Sequence, residues 1–204
     1  GPYASCGYIL FGAFGASTVG IRLFGKDETA NPSLSHKDRI AQRMLADAIE
    51  ADISNPGSGL PSLTEEQERT LTYEEKKNIL HGITEERPFG KRVVVASSGN
   101  TANAVAWMFA SRGYNVLAIT KDDCSMEKRK DIIWNGNAYA DEIESRAARG
   151  EFGENNGIDG TLRPVTGRTV LKISDNADGM YVQAQKVIKS LEKTCGEQGL
   201  KMSE

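Results

Sequence analysis

Apolar and polar residues along the chain follow two patterns, one typical of amphipathic helices and the other of buried strands. Apolar side chains recur three and four positions apart over residues 38–53, which predicts a helix. A β-branched run at 92–96 predicts a buried parallel strand, and a helical stripe over 102–111 separates it from a second strand at 115–120. This succession predicts a right-handed βαβ unit.

The next elements are predicted from cap and breaker residues. Ser125 is a good N-cap for a helix over residues 126–134. Gly136 is expected to end that helix, and residues 138–143 are a candidate third strand.

The last part of the chain has less periodicity. Residues 144–175 contain several glycines and predict a long loop or insertion, with a possible strand at 169–173. Loops of this length are usually functional or bound to a partner. A final helix is predicted over 180–193, within a C-terminal segment that covers 176–204.

A charged segment separates the first helix from the βαβ unit. Residues 55–59 read Asn-Pro-Gly-Ser-Gly and end the first helix. Residues 63–82 are rich in Glu, Lys and Gln, which predicts one or two surface helices tied loosely to the body. We therefore treat 54–90 as a charged insertion within an α/β domain that spans 19–143.

The beginning of the chain is apolar, and no charged residue occurs before position 22. Small residues recur there every fourth position, at Gly12, Ala16 and Gly20. On a helix this spacing allows close approach of membrane helices, so we expect membrane or partner contact through residues 3–21, with 1–18 as the anchor. The alternative is an apolar lead-in to a core strand, because residues 18–24 have β-type content.

Composition and charge narrow the function classes. Of the 204 residues, 39% are hydrophobic and 26% charged, which fits a folded protein. The net charge of −3 gives no basic field, so no nucleic-acid partner is expected. Three cysteines and two histidines show no metal-ligand spacing, so no metal site is expected either.

Two short motifs carry a specific resemblance. Residues 31–39 read Asn-Pro-Ser-Leu-Ser-His-Lys-Asp-Arg, and residues 96–102 read Ala-Ser-Ser-Gly-Asn-Thr-Ala. In this order and context they resemble the lysine motif and the Ser-Gly-Asn-Thr loop of fold-type II pyridoxal-phosphate (PLP) enzymes, the cysteine synthase and threonine synthase type. The resemblance covers 19–52 and 91–143, and more weakly 175–193.

The resemblance implies a fold, a cofactor and site residues. The implied fold is α/β, a short parallel sheet with helices on both faces, like the small domain of these enzymes. Lys37 matches the lysine that forms a Schiff base with PLP. The loop that would bind substrate and cofactor corresponds to Ser98, Gly99, Asn100 and Thr101, with Asn100 on the ring hydroxyl of the cofactor.

The chain departs from the family pattern at several positions. A glycine-rich phosphate loop is missing, and its only candidates are residues 157–160, where Asp159 would repel a phosphate, and residues 165–167. His36 stands where the family has an apolar or aromatic residue, and Ala102 replaces the glycine of cysteine synthases. We therefore expect a truncated, degenerate member of the family.

Three functions remain open. The first is a non-catalytic structural subunit without cofactor, whose uncovered sheet face is bound by other protein subunits; Lys37 would then be solvated or paired with Asp38 or Glu28. The second is a PLP-dependent amino-acid synthase or lyase, its site completed by another chain. The third is a regulatory domain that binds a small carboxylate through the loop of the second motif.

The cellular setting is predicted only from the beginning of the chain. The first residues are Gly1-Pro2 rather than Met, as a removed targeting segment or a tag remnant would leave. Together with the uncharged segment, this favours an organellar membrane complex, and a soluble cytoplasmic protein is the alternative.

Overall fold

The structure is a computed structural model, and it describes residues 7–11, 23–54, 63–83, 85, 89–152, 163–174 and 179–199. Its strands are β1 (Gly7–Phe11), β2 (Leu23–Asp27), β3 (Arg92–Ala96), β4 (Asn115–Lys121) and β5 (Thr169–Ser174). Its helices are α1 (Asp38–Ser54), α2 (Glu65–Thr70), α3 (Tyr73–Leu80), α4 (Asn100–Ala110), α5 (Met126–Ala148) and α6 (Gly179–Glu197).

The central feature is a three-stranded parallel sheet in the order β3-β4-β5. Val93 pairs with Val116, and Val116 pairs with Thr169, so neighbouring residues of the three strands lie in one row. The predicted βαβ unit is confirmed as β3, α4 and β4. The strand predicted at 169–173 is confirmed as β5.

Helices cover both faces of this sheet, as the resemblance implies. One face packs against α4 and α5, with α1 packed on α4, and its core contains Val95, Val116 and Ala118. On the other face, α6 is the helix that the described residues provide, and Ile119 packs there with Met180 and Ala184. The α/β fold class is therefore confirmed, with an uneven distribution of helices between the two faces.

Helix α4 lies at the centre of the larger core. Eight of its eleven residues are buried, most of them alanines or larger apolar residues. The small side chains Ala102 and Ala106 are fully buried, which lets α1 and α5 approach α4 closely.

The prediction for the helix after Ser125 is wrong in its length. Helix α5 continues through Gly136 to Ala148, and the strand predicted at 138–143 is helical. Gly136 faces the core, where a Cβ atom would lie 2.3 Å from Oγ1 of Thr169 and 3.0 Å from Cβ of Ala106. The glycine therefore permits a close packing contact instead of ending the helix. Because α5 reaches residue 148, the predicted loop 144–175 is helical at its start.

The charged insertion contains two short helices, α2 and α3, as predicted. Each begins with a threonine capping box, Thr64 with Gln67 and Thr72 with Glu75. The insertion is tied to the body more firmly than expected. The hydroxyl of Tyr73 donates to the carbonyl of Pro164 at 3.3 Å, and the amide of Lys91 donates to the carbonyl of His81 at 2.7 Å.

The apolar beginning of the chain is a strand where it is described. Strand β1 pairs antiparallel with β2, so the helical reading of the first residues is wrong for Gly7–Phe11. The stripe of Gly12, Ala16 and Gly20 lies outside the described residues. Among the helices that the structure describes, none combines the length and the apolar character needed to cross a bilayer.

Replacing Gly136 with alanine tests the packing of α5. We expect Gly136→Ala to destabilise the protein by about 2 kcal/mol, because the added methyl overlaps Thr169 and outweighs the better helix propensity of alanine. Gly196→Ala in α6 is the control, since a Cβ there meets nothing within 4 Å. Urea unfolding should give opposite changes in midpoint for the two variants, and a stable Gly136→Ala protein would contradict the close contact.

The buried imidazole of His81 should make stability depend on pH. Its side chain is 2% exposed, and burial, together with the charges of Lys77 and Lys91, lowers its pKa from 6.5 to about 4. The unfolded chain therefore binds a proton more readily than the folded protein between these two values. Stability should be unaffected above pH 6.5 and should fall by up to about 3 kcal/mol as the pH drops towards 4.

The variant His81→Leu should lose this acid dependence, because leucine does not titrate and fills a similar volume. His36→Gln, at an exposed position, is the control and should keep the dependence. Urea unfolding between pH 4 and pH 7 measures both, and an unchanged slope in His81→Leu would assign the acid sensitivity to other groups.

Candidate functional site

The lysine motif forms a compact turn ahead of α1. The side-chain amide of Asn31 donates to the carbonyl of Ser35 at 2.8 Å and to the carboxylate of Glu28 at 2.6 Å. The amide of Leu34 donates to the carbonyl of Asn31, also at 2.8 Å. Asn31 therefore stabilises the turn through both its side-chain amide and its backbone carbonyl. Asparagine commonly has this role in turns.

A buried aspartate fixes the middle of this turn. Asp38 is 1% exposed, and its Oδ2 atom accepts a hydrogen bond from the amide of Ser33 at 3.0 Å. The amide of Lys37 donates to Oγ of Ser35 at 3.1 Å. The second carboxylate oxygen, Oδ1, has no hydrogen-bond partner in the described part of the chain. The turn thus holds Lys37 between two backbone–side-chain hydrogen bonds.

The turn also contains an unusual backbone conformation. Leu34 has a φ of 58°, and its side chain is 67% exposed. A non-glycine residue in the left-handed region is strained by about 1 kcal/mol or more. The sequence offered no signal for this strain, which the hydrogen bonds of the neighbouring residues must hold in place.

In the part of the chain that the structure describes, no acidic side chain pairs with the amine of Lys37. Glu28 forms an ion pair with Arg39 at 2.9 Å, and Asp38 bonds the amide of Ser33. The pairing of Lys37 with Asp38 or Glu28, which was one of the expectations, is therefore not formed. Among the described residues the ammonium of Lys37 has no ion-pair or hydrogen-bond partner, and the residue is half-buried.

The second motif lies at the carboxyl end of β3, where α4 begins. The amide of Ser97 donates to the carbonyl of Ile119 at 3.0 Å, which extends the sheet, and the amide of Gly99 lies 3.4 Å from Oγ of Ser97. Gly99 is the N-cap residue of α4, and no side chain caps this end. The amides of the first turn, which include those of Asn100 and Thr101, therefore have no acceptor within the helix.

This uncapped end suits an anionic group. Amides at a helix N-terminus point along the positive end of the helix dipole and bind carboxylates or phosphates. A Cβ atom at Gly99 would meet no described residue within 4 Å, which leaves space beside the loop in this part of the structure. The buried thiol of Cys124 donates to the backbone carbonyl of Ser98 at 3.2 Å and so helps to fix the loop.

A side chain between the two motifs joins them directly. Asn103, one turn into α4, donates from Nδ2 to the carbonyl of Ser33 at 3.4 Å. The Oδ1 atom of Asn103 in turn accepts from Nδ2 of Asn135 in α5, at 2.9 Å. Neither asparagine is predicted from the sequence as a site residue; the signal for Asn103 is a polar residue within an apolar helix stripe.

The candidate phosphate segments do not complete the site in the described residues. The amide of Gly167 donates to the carbonyl of Ala110 at 2.8 Å, and a Cβ there would lie 2.0 Å from the carbonyl oxygen of Tyr114. Residues 165–167 therefore serve packing and have no free amide at Gly167 for a phosphate. The other candidate, 157–160, lies outside the described residues.

The arrangement fits one part of a PLP site. A free lysine amine can bind the carbonyl carbon of the cofactor, and an uncapped helix end can bind the carboxylate of an amino acid. Lys37 and the loop Ser98, Gly99, Asn100 and Thr101 are linked through Asn103 and Ser33. Their individual roles stay predictions from the resemblance.

Comparison with known proteins gives a consistent family. The profile of the family described as "Pyridoxal-phosphate dependent enzyme" matches residues 13–138. Cysteine synthase B of Campylobacter jejuni is 30% identical over 117 residues, which cover 57% of this chain and 28% of that protein. A cysteine synthase of Dictyostelium discoideum is 27% identical over 113 residues, which cover 55% of this chain and 21% of that protein.

A solved hydrogen sulfide-producing enzyme of Fusobacterium nucleatum is 18% identical, with a TM-score of 0.47, over 95% of this chain and 42% of that one. The match to the cysteine synthases thus spans about a quarter of their length. The family profile covers more than half of this chain. The chain therefore belongs to the pyridoxal-phosphate dependent enzymes of fold-type II and is related to cysteine synthases over part of its length.

Proposed function

We propose that this chain supplies the lysine and the substrate-carboxylate loop of a PLP site that acts on amino acids, as in a cysteine synthase. The observation that carries the proposal is that Lys37, whose amine has no partner among the described residues, lies on a turn bonded to α4, the helix whose N-terminus has no side-chain cap. Family membership and the cysteine synthase relatives support the same chemistry.

In this proposal Lys37 and the loop have separate roles, one towards the cofactor and the other towards the substrate. PLP, when bound, supplies an electron sink that stabilises negative charge on the α-carbon of an amino acid. Lys37 would hold the cofactor through Nζ, and the same amine would be the group available there to carry a proton. The amides of Asn100 and Thr101 bind the substrate carboxylate, which orients the amino acid before any bond is broken.

Within the described part of the chain, residues 165–167 do not offer a phosphate nest. The amide of Gly167 donates to the carbonyl of Ala110 and is not available to a phosphate. We propose that other protein segments or subunits complete the site and cover the apolar side chains that remain exposed. Trp134, at 75% exposure, is the largest of these side chains.

A non-catalytic accessory subunit is the second candidate. It is favoured by the strained, exposed Leu34 and by His36, both inside the lysine motif, and by the exposed Tyr181 on α6. In this reading no cofactor binds, and the apolar surface is an interface within a larger complex. Its setting would be an organellar membrane reached through residues 3–21, with the cytoplasm as the alternative.

A carboxylate-binding regulatory domain is the third candidate. It needs only the uncapped N-terminus of α4 and the open space beside Gly99, without any role for Lys37. The following two experiments separate the three candidates.

The first experiment tests whether Lys37 binds the cofactor. With added PLP, the protein should develop an absorbance band above about 400 nm, the region expected for the lysine-bound cofactor. Lys37→Ala should abolish the band, while Lys130→Ala, on an exposed part of α5, should retain it. No band in protein shown to be folded by circular dichroism would favour the accessory-subunit or regulatory reading.

The second experiment tests the loop by thermal unfolding with L-serine. We expect L-serine to raise the melting temperature, since a ligand at 100 times its Kd stabilises by about 2.7 kcal/mol. Asn100→Pro should reduce the shift, because it removes one of the two amides that bind the carboxylate and proline is tolerated at the first position of a helix. Glu65→Pro, at the first position of the exposed helix α2, is the control and should keep the shift. A shift that persists in Lys37→Ala without any PLP band would support the regulatory domain, and the absence of any shift would support the accessory subunit.

A further inference from the structure

A line of polar side chains crosses the core from α5 to the lysine turn. Asn135 donates to Oδ1 of Asn103 at 2.9 Å, and Asn103 donates to the carbonyl of Ser33 at 3.4 Å. Ser33 is also held through its amide, which donates to Asp38 at 3.0 Å. Asn103 and Ser33 are both buried, so water does not replace these hydrogen bonds easily.

The orientation of the Asn103 side-chain amide decides whether its hydrogen bonds to Asn135 and to Ser33 can both form. A side-chain amide offers two donors on nitrogen and an acceptor on oxygen. Because Asn135 donates to the oxygen of Asn103, the nitrogen of Asn103 is turned towards the carbonyl of Ser33. In the opposite orientation two oxygen atoms would face each other, which leaves a buried carbonyl without a donor.

We propose that Asn135 is a positioning residue for Lys37, because it fixes the orientation of Asn103 and thereby holds the lysine turn. The role of Lys37 rests on the proposed function, whereas the hold on the turn does not. The turn needs such a hold because Leu34 adopts a left-handed conformation that relaxes when its neighbours are released.

The same helix provides a matched control two residues further on. Asn137 also uses its amide in both directions, donating to the carbonyl of Thr169 and accepting from its amide, each at 3.1 Å. This contact serves the edge of β5 and has no connection with the lysine turn. The substitutions Asn135→Asp and Asn137→Asp therefore remove equivalent donors from one helix, with different consequences.

The first readout is hydrogen exchange in the full chain, which requires no cofactor. In Asn135→Asp the carboxylate repels Oδ1 of Asn103 and turns that amide over. We expect the amides of residues 33–37 to exchange about fivefold faster, the effect of losing one net hydrogen bond. In Asn137→Asp they should exchange at the native rate, with faster exchange confined to Thr169 and its neighbours.

The second readout is the rate at which PLP adds to Lys37, trapped with borohydride and located by mass spectrometry of the peptide. This rate should fall about fivefold in Asn135→Asp and stay unchanged in Asn137→Asp. If Asn135→Asp does not fold, Asn135→Ala removes the same donor without adding a charge and is measured in its place.

The outcomes separate this inference from the proposed function. Unchanged exchange at residues 33–37 in the Asn135 variant, or equal acceleration in the Asn137 variant, would overturn the positioning role. Faster exchange with an unaltered rate of PLP addition would overturn it as well. If the native chain takes up no PLP at Lys37, the proposed function fails, and the exchange readout still decides whether Asn135 holds the turn.

Discussion

The burial of α4 is the constraint on which the rest of the structure depends. Because several buried residues of α4 are alanines, both α1 and α5 can pack close to the α4 backbone. Because α1 begins at the lysine turn and α4 begins at the asparagine loop, this packing places the two motifs next to each other. The core thus sets the geometry of the site, and a larger residue at Ala102 or Ala106 would separate its two halves.

Polar groups inside this core restrict the relative positions in which the helices can pack. Apolar contacts bring helices together but tolerate small sliding movements, whereas a buried amide accepts only one arrangement of donors and acceptors. Asn103 is such a group, since its two ends must match Asn135 and Ser33 at once. A lysine whose role depends on the position of a single nitrogen atom benefits from a support of this kind.

The sequence predicted what is encoded locally. The apolar stripe of α1, the β-branched run of β3 and the capping threonines of α2 and α3 are signals within a few residues of the element they define. The length of α5 was not predictable in this way, because the role of Gly136 is set by Thr169, 33 residues later.

The site was predicted to a similar extent. Its motifs named Lys37 and the loop from Ser98 to Thr101, while the link through Asn103 required the packing of three helices. That the amine of Lys37 has no acidic partner among the described residues was not predictable, because the ion pair between Glu28 and Arg39 joins residues eleven positions apart.

The two hydrogen bonds between Asn137 and Thr169 affect how the sheet edge behaves in solution. In a parallel sheet the outer strand exposes amide and carbonyl groups that can recruit a strand from another molecule. The side-chain amide of Asn137 occupies both groups of Thr169, in the manner of one further residue of sheet. The amide and carbonyl of the first residue of β5 are therefore not available to a strand of another molecule. The same asparagine that anchors α5 thus protects this edge against aggregation.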